Sequence, residues 1–226
     1  MISLQDFKPA REFARSYGVK ALIYGAAGTG KTPILNTAPR PVLLACETGL
    51  LSMRNSNIPT FQALDVSKIK EFFDWLEKSS EAKNFDTIGV DSSSQLAEIF
   101  LTDAKKRIKH GLQQYGEMAE ESMKLFTKLY FMREKHIYLI AKEEIKNLNG
   151  ISFRRPYWAG NVLPIEVPHQ YDAILHLAKA NVPGAQGEVL AFRCSQSYDV
   201  LARDRTGQLS EFEYPDFSSI VRKAMQ

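Results

Sequence analysis

The sequence has few cysteines, no long apolar run and little net charge. Its two cysteines, Cys46 and Cys194, each lie in an apolar, strand-like stretch, which favours two buried thiols in a reducing compartment over a disulfide. No segment approaches the roughly 18 consecutive apolar residues of a membrane-spanning helix. Residues 1–10 lack the apolar core of a signal peptide. We therefore expect a soluble protein of the cytoplasm.

The composition is that of an ordinary globular protein. Of 226 residues, 44% are apolar and 24% are charged, so the chain can bury a sizeable core. A formal net charge of +3 is too small to establish a polyanionic partner, although clustered charge would be compatible with one. Without repeats or a convincing linker, we expect a single domain over residues 1–226, with an N-terminal arm (1–18), a core (19–217) and a C-terminal tail (218–226).

Strands alternate with helices in the first two thirds of the sequence. This alternation predicts an α/β fold, a mainly parallel sheet flanked by helices, to which the C-terminal third adds antiparallel strands. The short apolar runs predict strands over residues 19–24, 42–46, 87–90, 137–141, 171–178, 189–195 and 198–202. Helical spacing predicts one helix over residues 67–78, capped by Ser67, and helical structure from 94 to 134. Several glycines and prolines predict that residues 147–170 are mostly loop.

A glycine-rich segment follows the first predicted strand and matches G-x-x-x-x-G-K-[ST] without a mismatch. The segment consists of Gly25, Ala26, Ala27, Gly28, Thr29, Gly30, Lys31 and Thr32. Glycines allow backbone N–H groups to turn towards phosphate oxygens, where a Cβ would obstruct them. In such a loop Lys31 reaches the β- and γ-phosphates and the Thr32 hydroxyl ligates Mg²⁺. The loop predicts ATP and Mg²⁺ as ligands; a chance glycine-rich turn is the alternative.

Two carboxylates follow predicted strands and are candidates for the remaining chemistry. Asp91 ends the strand at 87–90, where it would hold Mg²⁺, although it could instead cap the next helix. Glu47 ends the strand at 42–46 and is the candidate to orient or deprotonate water; an exposed loop charge is the alternative. In AAA+ ATPases a glutamate usually follows the metal-binding aspartate directly, but here that position is Ser92. The sequence also lacks a C-terminal four-helix lid pattern, which likewise disfavours AAA+.

The order of these motifs resembles that of the phage-encoded RecA-like proteins known as core-only recombinases. Residues 42–47 resemble the RecA segment whose strand ends in the catalytic glutamate, and residues 157–164 and 202–207 continue the resemblance. The resemblance covers residues 19–217. It implies a RecA-like ATPase that binds single-stranded DNA and promotes annealing or strand exchange beside a single-strand-binding protein. It also implies a homo-oligomer, a ring or a filament, in the host cytoplasm.

Arg203 and Arg205 resemble the basic-x-basic finger of RecA-like motors. In those proteins the finger reaches the γ-phosphate held by the neighbouring subunit, and an arginine can neutralise charge on the transferring phosphoryl group. The turn at Thr206 and Gly207 would place both arginines at the tip of a hairpin, so a solvated hairpin tip is the alternative.

Two basic segments fall where RecA-like proteins place their DNA-binding loops. In the second segment aromatic side chains, which can stack on bases, alternate with arginines, which can bind phosphates. The candidate residues are Lys105, Lys106, Arg107 and Lys109 in the first segment, and Phe153, Arg154, Arg155, Tyr157 and Trp158 in the second. A solvated helix face is the alternative for the first segment, and burial of Tyr157 and Trp158 in the core is the alternative for the second.

Two other functions remain open on the sequence alone. A ring-forming, helicase-like translocase would unwind a forked duplex. A loader or binding module gated by ATP would bind nucleotide, hydrolyse it negligibly and need a protein partner. The ATPase rate with and without single-stranded DNA, combined with particle images of the assembly, would separate most of these possibilities.

Overall fold

The computed structural model describes residues 3–148 and 150–226. Residues 1 and 2 of the predicted arm and Asn149, in the predicted loop of residues 147–170, lie outside the described residues. The strands are β1 (Lys20–Tyr24), β2 (Pro41–Ala45), β3 (Thr60–Gln62), β4 (Thr87–Asp91), β5 (His136–Leu148), β6 (Ile151–Tyr157), β7 (Ala173–Asn181), β8 (Glu188–Arg193), β9 (Arg203–Asp204) and β10 (Phe212–Glu213). The α-helices are α1 (Ala10–Arg15), α2 (Lys31–Ile34), α3 (Val66–Lys78), α4 (Ser93–Arg107), α5 (Gly111–Phe131), α6 (Leu163–Gln170) and α7 (Phe217–Ala224).

One sheet joins all ten strands. The main order is β10-β8-β7-β1-β5-β4-β2-β3, while β6 pairs with β5 and β9 pairs with β7. The pairs from β7 through β1, β5, β4 and β2 to β3 are all parallel. β8, β9 and β10 add antiparallel pairs. The predicted fold class is therefore confirmed.

The sheet separates two apolar cores because its buried strands direct alternate side chains to opposite faces. In β1, Leu22 and Tyr24 pack with α3, α4 and α5, whereas Ala21 and Ile23 pack on the other face with residues that include Phe217 of α7. Every residue of β1 is buried, so this strand is the centre of both cores. Cys46 and Cys194 are free and buried, as predicted.

Residues 147–170 are more regular than their prolines and glycines indicated. β5 continues to Leu148 and turns back at Gly150, whose φ of +86° suits glycine, to form a hairpin with β6. α6 then accommodates Pro164 in its first turn, where a helix needs no N–H donor. The prediction of a loop was therefore wrong, because Pro156 lies in β6 and both Pro164 and Pro168 are part of α6.

Smaller differences follow from local hydrogen bonds. Asp65, not Ser67, caps α3, because its carboxylate accepts a hydrogen bond from the Lys68 N–H. The predicted strand over residues 198–202 is reduced to a single bridge between Val200 and Arg154. No helix in the two described ranges is both long and apolar enough to span a membrane.

Candidate nucleotide-binding site

The glycine-rich loop connects the most buried strand to the short helix α2. An added Cβ at Gly25 would lie 2.4 Å from the Leu177 carbonyl oxygen of the neighbouring β7, so only glycine fits there. Gly30, at the start of α2, has a φ of +89°, which L side chains rarely adopt. Since α2 has only four residues, its dipole is smaller than that of a longer helix. The loop N–H groups and Lys31 must therefore supply most of the attraction for an anion.

Lys31 lies against the loop that precedes it. Its Nζ donates hydrogen bonds to the carbonyl oxygens of Gly25 at 2.7 Å and Ala26 at 2.8 Å. Burial lowers the pKa of Lys31, and nearby carboxylates, Asp91 first among them, oppose this shift. The Tyr138 hydroxyl anchors the start of α2 by donating to the Lys31 carbonyl at 2.8 Å. The cation is thus held beside the cradle that its loop forms.

Asp91 lies at the end of β4 and contacts the last residue of the loop motif. The Thr32 hydroxyl donates to Asp91 Oδ2 at 2.5 Å. Burial raises the pKa of Asp91; the bond from Thr32 opposes this shift, and the negative charge of Glu47 adds to it. A hydroxyl and a carboxylate in contact are the oxygen ligands that phosphate-bound Mg²⁺ uses. The structure therefore brings together the two predicted metal ligands.

Glu47 reaches the same cavity from the adjacent strand. Its Oε1 accepts a hydrogen bond from the Ser92 hydroxyl at 2.6 Å, and the neighbouring Cys46 N–H donates to the Asp91 carbonyl at 2.7 Å. The Ser92 oxygen also caps α4 by accepting from the Gln95 N–H. Ser92 thus orients Glu47, which follows β2. The sequence analysis did not identify this role of Ser92.

A buried glutamate and histidine lie on the other side of this cavity. Glu143 Oε2 is 2.6 Å from His176 Nε2, and both side chains are at most 10% exposed. The Tyr24 ring packs against His176 with 4.8 Å between ring centroids. We missed this pair because only the strand order shows that β5 and β7 flank β1. The available signal in the sequence was the run of charged residues, including Glu143, that directly follows the buried part of β5.

One cavity of about 620 Å³ connects these groups. Glycines 25, 28 and 30 line it together with Lys31, Thr32, Glu47, Asp91, Ser92, Lys142 and Glu143. Lys142 pairs through its Nζ with Glu98 at 3.2 Å. This volume, the backbone cradle and the cation beside it fit the phosphates of a nucleotide with a bound Mg²⁺.

The two candidate arginines lie where the parallel strands begin, whereas the loop lies where these strands end. Arg203 pairs with Ile174 in the first half of β7, and its guanidinium donates to the Tyr171 carbonyl at 2.6 Å. Arg205 donates to the carbonyls of His169 and Gln170 at the end of α6. The loop, by contrast, follows the carboxyl end of the parallel β1. Neither arginine completes the site of its own chain, and the predicted hairpin tip is instead a turn that the Asp204 carboxylate organises.

The second predicted DNA segment forms β6 but does not present all its candidates on one face. Side chains alternate along a strand, so Phe153, Arg155 and Tyr157 share a face, while Arg154 lies on the other and pairs with Asp199 at 3.5 Å. Trp158 is 1% exposed and packs in the core. The prediction that Trp158 stacks on bases was therefore wrong, because its ring is not accessible.

The first predicted DNA segment lies at the end of α4 and the start of the following loop. Lys105, Lys106 and Lys109 are exposed to solvent. Arg107 is bound by two acidic side chains, at 2.7 Å from Asp103 and in close contact with Glu117. Arg107 is therefore less available for a phosphate than the three lysines, a difference that the sequence did not reveal.

Together, the sheet and the loop define a P-loop nucleotide-binding protein. A family profile described as an AAA domain (AAA_24) matches residues 17–206, and the chain belongs to this family. It is thus an AAA-type P-loop ATPase built on a mainly parallel sheet. Our sequence argument disfavoured the AAA+ class because Ser92 follows Asp91, but the match to an AAA domain does not bear that argument out; the glutamate that Ser92 contacts is Glu47, which follows β2.

A solved structure that this chain resembles is that of a KaiC-like protein from the hyperthermophilic archaeon Pyrococcus horikoshii OT3. The two share 15% sequence identity with a TM-score of 0.46, over 78% of this chain and 79% of that chain. No curated protein matches the chain in sequence.

Replacing Asp91 with Asn is expected to stabilise the ligand-free protein. A carboxyl whose folded pKa is raised stabilises the fold below its unfolded pKa, and this contribution is lost as pH rises through the folded pKa. At pH 7 the charged Asp91 therefore opposes folding. Asp91→Asn should raise Tm by about 2–4 °C, equivalent to roughly 1 kcal/mol, and should weaken the stabilisation by Mg-ATP.

Thermal unfolding with and without Mg-ATP measures both effects. The difference in Tm between the two proteins should disappear below about pH 3, where Asp91 would be protonated in folded and unfolded states alike. A lower Tm for ligand-free Asp91→Asn at pH 7 would contradict this account of the site.

Proposed function

We propose that the chain binds Mg-ATP at this cavity and hydrolyses it. The convergence of Lys31 and Thr32 with Asp91 and Glu47, from three separate segments of sequence, supports this proposal. Bound Mg²⁺ would supply charge neutralisation at the β- and γ-phosphates. Thr32 and Asp91 would hold the metal, and Lys31 would exchange its two carbonyl contacts for phosphate oxygens.

In this proposal Glu47 acts on the attacking water. The Ser92 hydroxyl holds one carboxylate oxygen at 2.6 Å, which leaves the other available to accept a hydrogen bond from water. This hydrogen bond orients the water, and the carboxylate oxygen accepts the proton of the water as the reaction proceeds. Ser92 is a positioning residue for Glu47 and also fixes the start of α4.

Replacing Lys31 with Ala tests the nucleotide site. The substitution removes the cation beside the phosphate cradle, so we expect Mg-ATP binding to weaken at least tenfold, a loss of about 1.4 kcal/mol or more, with the fold retained. Calorimetric titration with Mg-ATP and a thermal melt measure these two properties. Lys142→Ala is the matched control, because Lys142 lines the same cavity but is paired with Glu98. Normal ATP binding and turnover by Lys31→Ala would refute the proposed site.

We also propose that the hairpin of β5 and β6 binds single-stranded DNA. β5 leads from the cavity, at Lys142 and Glu143, directly into this hairpin. One hairpin face carries Phe153 opposite Lys146, next to Arg155, whose guanidinium is 2.7 Å from Glu144. An aromatic ring beside cations suits a single strand, because bases stack on the ring and phosphates pair with the charge.

Annealing or strand exchange is the activity that the resemblance to core-only recombinases adds to this proposal. Single-stranded DNA should then stimulate ATP hydrolysis, and the protein should anneal complementary strands without unwinding a forked duplex. Unwinding would favour the translocase instead. Negligible hydrolysis with or without DNA would favour a loader gated by ATP.

Removing Phe153 and Lys146 in turn should separate their contributions to DNA binding. Phe153→Ala should weaken binding by about 1–3 kcal/mol, the contribution of one stacked base. Lys146→Ala should reduce the slope of log K against log salt by about 0.7, the contribution of one phosphate contact. Fluorescence anisotropy with a labelled oligonucleotide at several salt concentrations measures both.

Ser152→Ala is the control for these variants, because Ser152 is exposed on the opposite face of β6. It should leave affinity and slope unchanged. If Phe153→Ala and Lys146→Ala also bind normally, the hairpin is not the DNA site, and Lys105, Lys106 and Lys109 become the next residues to test.

A further inference from the structure

We infer that two buried hydroxyl groups, those of Ser94 and Tyr24, position the β5–β6 hairpin and make its placement depend on the occupancy of the nucleotide cavity. The hairpin is defined as residues 142–157. Both side chains are fully buried, and both belong to elements that lead into or out of the nucleotide cavity. The inference rests on the nucleotide site proposed above.

The hairpin leaves the central sheet at a defined point. β5 pairs with β4 as far as Leu139 and with β1 as far as Ala141. From Lys142 onwards it pairs with β6. The position of the hairpin relative to the central sheet therefore depends on the contacts made at its base and along β6.

The Ser94 hydroxyl joins the two strands at the base of the hairpin. It accepts a hydrogen bond from the Lys142 N–H at 2.9 Å and donates one to the Tyr157 carbonyl at 2.5 Å. Lys142 and Tyr157 are the first pair in the register of the hairpin. Ser94 lies in the first turn of α4, three residues after Asp91. The helix that starts beside the proposed metal ligand therefore fixes the base of the hairpin.

The same helix also holds the side chain of Lys142. The Lys142 Nζ lies 3.0 Å from Gln95 Oε1 and 3.2 Å from Glu98 Oε1. α4 thus contacts the first residue of the hairpin through both its backbone and its side chain. A shift of the start of α4 must then move this residue as well.

The Tyr24 hydroxyl makes the second connection, from the residue that directly precedes the phosphate loop. It donates to the Leu201 carbonyl at 2.7 Å and, over 3.2 Å, to the Arg154 carbonyl of β6. The Leu201 N–H donates to the same Arg154 carbonyl at 2.9 Å, so Leu201 is itself attached to β6. A displacement of the loop at Gly25 therefore reaches the middle of β6 through Tyr24.

Nucleotide binding must disturb the elements to which both hydroxyls belong. The Thr32 hydroxyl bonds to Asp91 at 2.5 Å, and the Lys31 Nζ bonds to the Gly25 carbonyl at 2.7 Å. These hydrogen bonds occupy groups that the proposed site assigns to Mg²⁺ and phosphate, so both are exchanged when Mg-ATP binds. Because protein interiors are close-packed, buried elements respond to such a change by a discrete shift.

Hydrogen exchange of the hairpin amides, measured by mass spectrometry with and without the non-hydrolysable analogue Mg-AMPPNP, tests this inference. In the wild type the nucleotide should change the exchange rate of residues 143–156 by roughly three- to tenfold, the effect of one hydrogen bond made or lost. Ser94→Ala and Tyr24→Phe each remove a single oxygen atom and should reduce this change to less than about twofold. Calorimetric titration should show that both variants still bind Mg-AMPPNP.

Two matched controls separate this coupling from a general loss of packing. Ser93→Ala removes a buried hydroxyl from the same turn of α4, but that hydroxyl donates to the Ile140 carbonyl within the central sheet. Tyr171→Phe removes a fully buried hydroxyl that has no hydrogen-bond partner among the described residues. Hairpin exchange in both controls should respond to Mg-AMPPNP as it does in the wild type.

The outcomes distinguish this inference from the proposal on which it rests. If calorimetry shows that the wild type binds Mg-AMPPNP but its hairpin exchange does not change, the inference is overturned. A wild-type response in Ser94→Ala or in Tyr24→Phe would remove the corresponding hydroxyl from the inference, and a wild-type response in both would overturn it. Absence of Mg-AMPPNP binding to the wild type would instead refute the nucleotide site itself.

Discussion

Protein carrying Glu47→Gln is expected to bind Mg-ATP normally and to hydrolyse it about 10²- to 10⁴-fold more slowly, the usual contribution of general base catalysis. Glutamine keeps the size of the side chain and still accepts the hydrogen bond from Ser92, which is 2.6 Å long in the wild type. It cannot accept a proton from water. Single-turnover hydrolysis and calorimetric binding of Mg-ATP measure the two properties on the same sample.

Glu143→Gln is the informative comparison, because Glu143 is the other carboxylate in the cavity without a predicted metal role. Glu143 Oε2 lies 2.6 Å from His176 Nε2. This contact crosses β1, away from Asp91 on β4. We expect a smaller loss of rate from Glu143→Gln than from Glu47→Gln. The reverse order would assign the base to Glu143 and reduce Glu47 to a partner of Ser92.

Ser92→Ala should produce an intermediate effect. Loss of its hydroxyl releases Glu47 and also removes the cap of α4, which costs about 1 kcal/mol of stability. A thermal melt separates the two consequences. If the rate of Ser92→Ala stays low at a temperature where the melt shows it folded, and recovers in Ser92→Thr, which retains a hydroxyl, the positioning of Glu47 is the cause.

The parts of the site that the sequence predicted are those that one strand and its following loop determine. The glycine-rich loop directly follows the buried strand Lys20–Tyr24 in the sequence. The sequence alone therefore predicted that Lys31 and Thr32 lie at the carboxyl end of this strand. Asp91 and Glu47 could be placed similarly, because the carboxyl ends of parallel strands meet at one edge of a sheet.

The missed features depend on which strands are neighbours. Glu143 and His176 are 33 residues apart and meet only because β5 and β7 lie on either side of β1. Trp158 follows a strand rich in charge, yet the chain turns inwards there, since the Ser94 hydroxyl of α4 donates to the Tyr157 carbonyl at 2.5 Å. Neither contact leaves a periodic pattern in the sequence.

Arginines 203 and 205 show a third kind of limit. Their spacing resembles a finger, but the structure fixes their side chains on backbone carbonyls beyond α6, at the sheet edge opposite the loop. The location excludes a role within the same chain and leaves a role at a neighbouring chain's site. Only an experiment that combines two copies can test that role.

Arg205→Ala is expected to bind Mg-ATP nearly normally but to lose about 10³-fold in hydrolysis rate, as removal of an arginine finger can cause. Arg205 is exposed, and its guanidinium donates hydrogen bonds to the carbonyls of His169 and Gln170, so it is accessible to a neighbour. Arg203 is less accessible and supports the chain at Tyr171, so Arg203→Ala should mainly lower Tm.

Mixing Arg205→Ala with Lys31→Ala should restore part of the activity. Where the intact arginine of a Lys31→Ala chain meets the intact loop of an Arg205→Ala chain, one complete site forms, and a site contained within one chain could not be restored in this way. Exchange of chains must first be demonstrated, for example by energy transfer between labelled copies. With exchange established, recovery that follows the mixing ratio supports action on a neighbouring chain. A mixture no more active than its components would show that Arg205 does not complete the site of another copy.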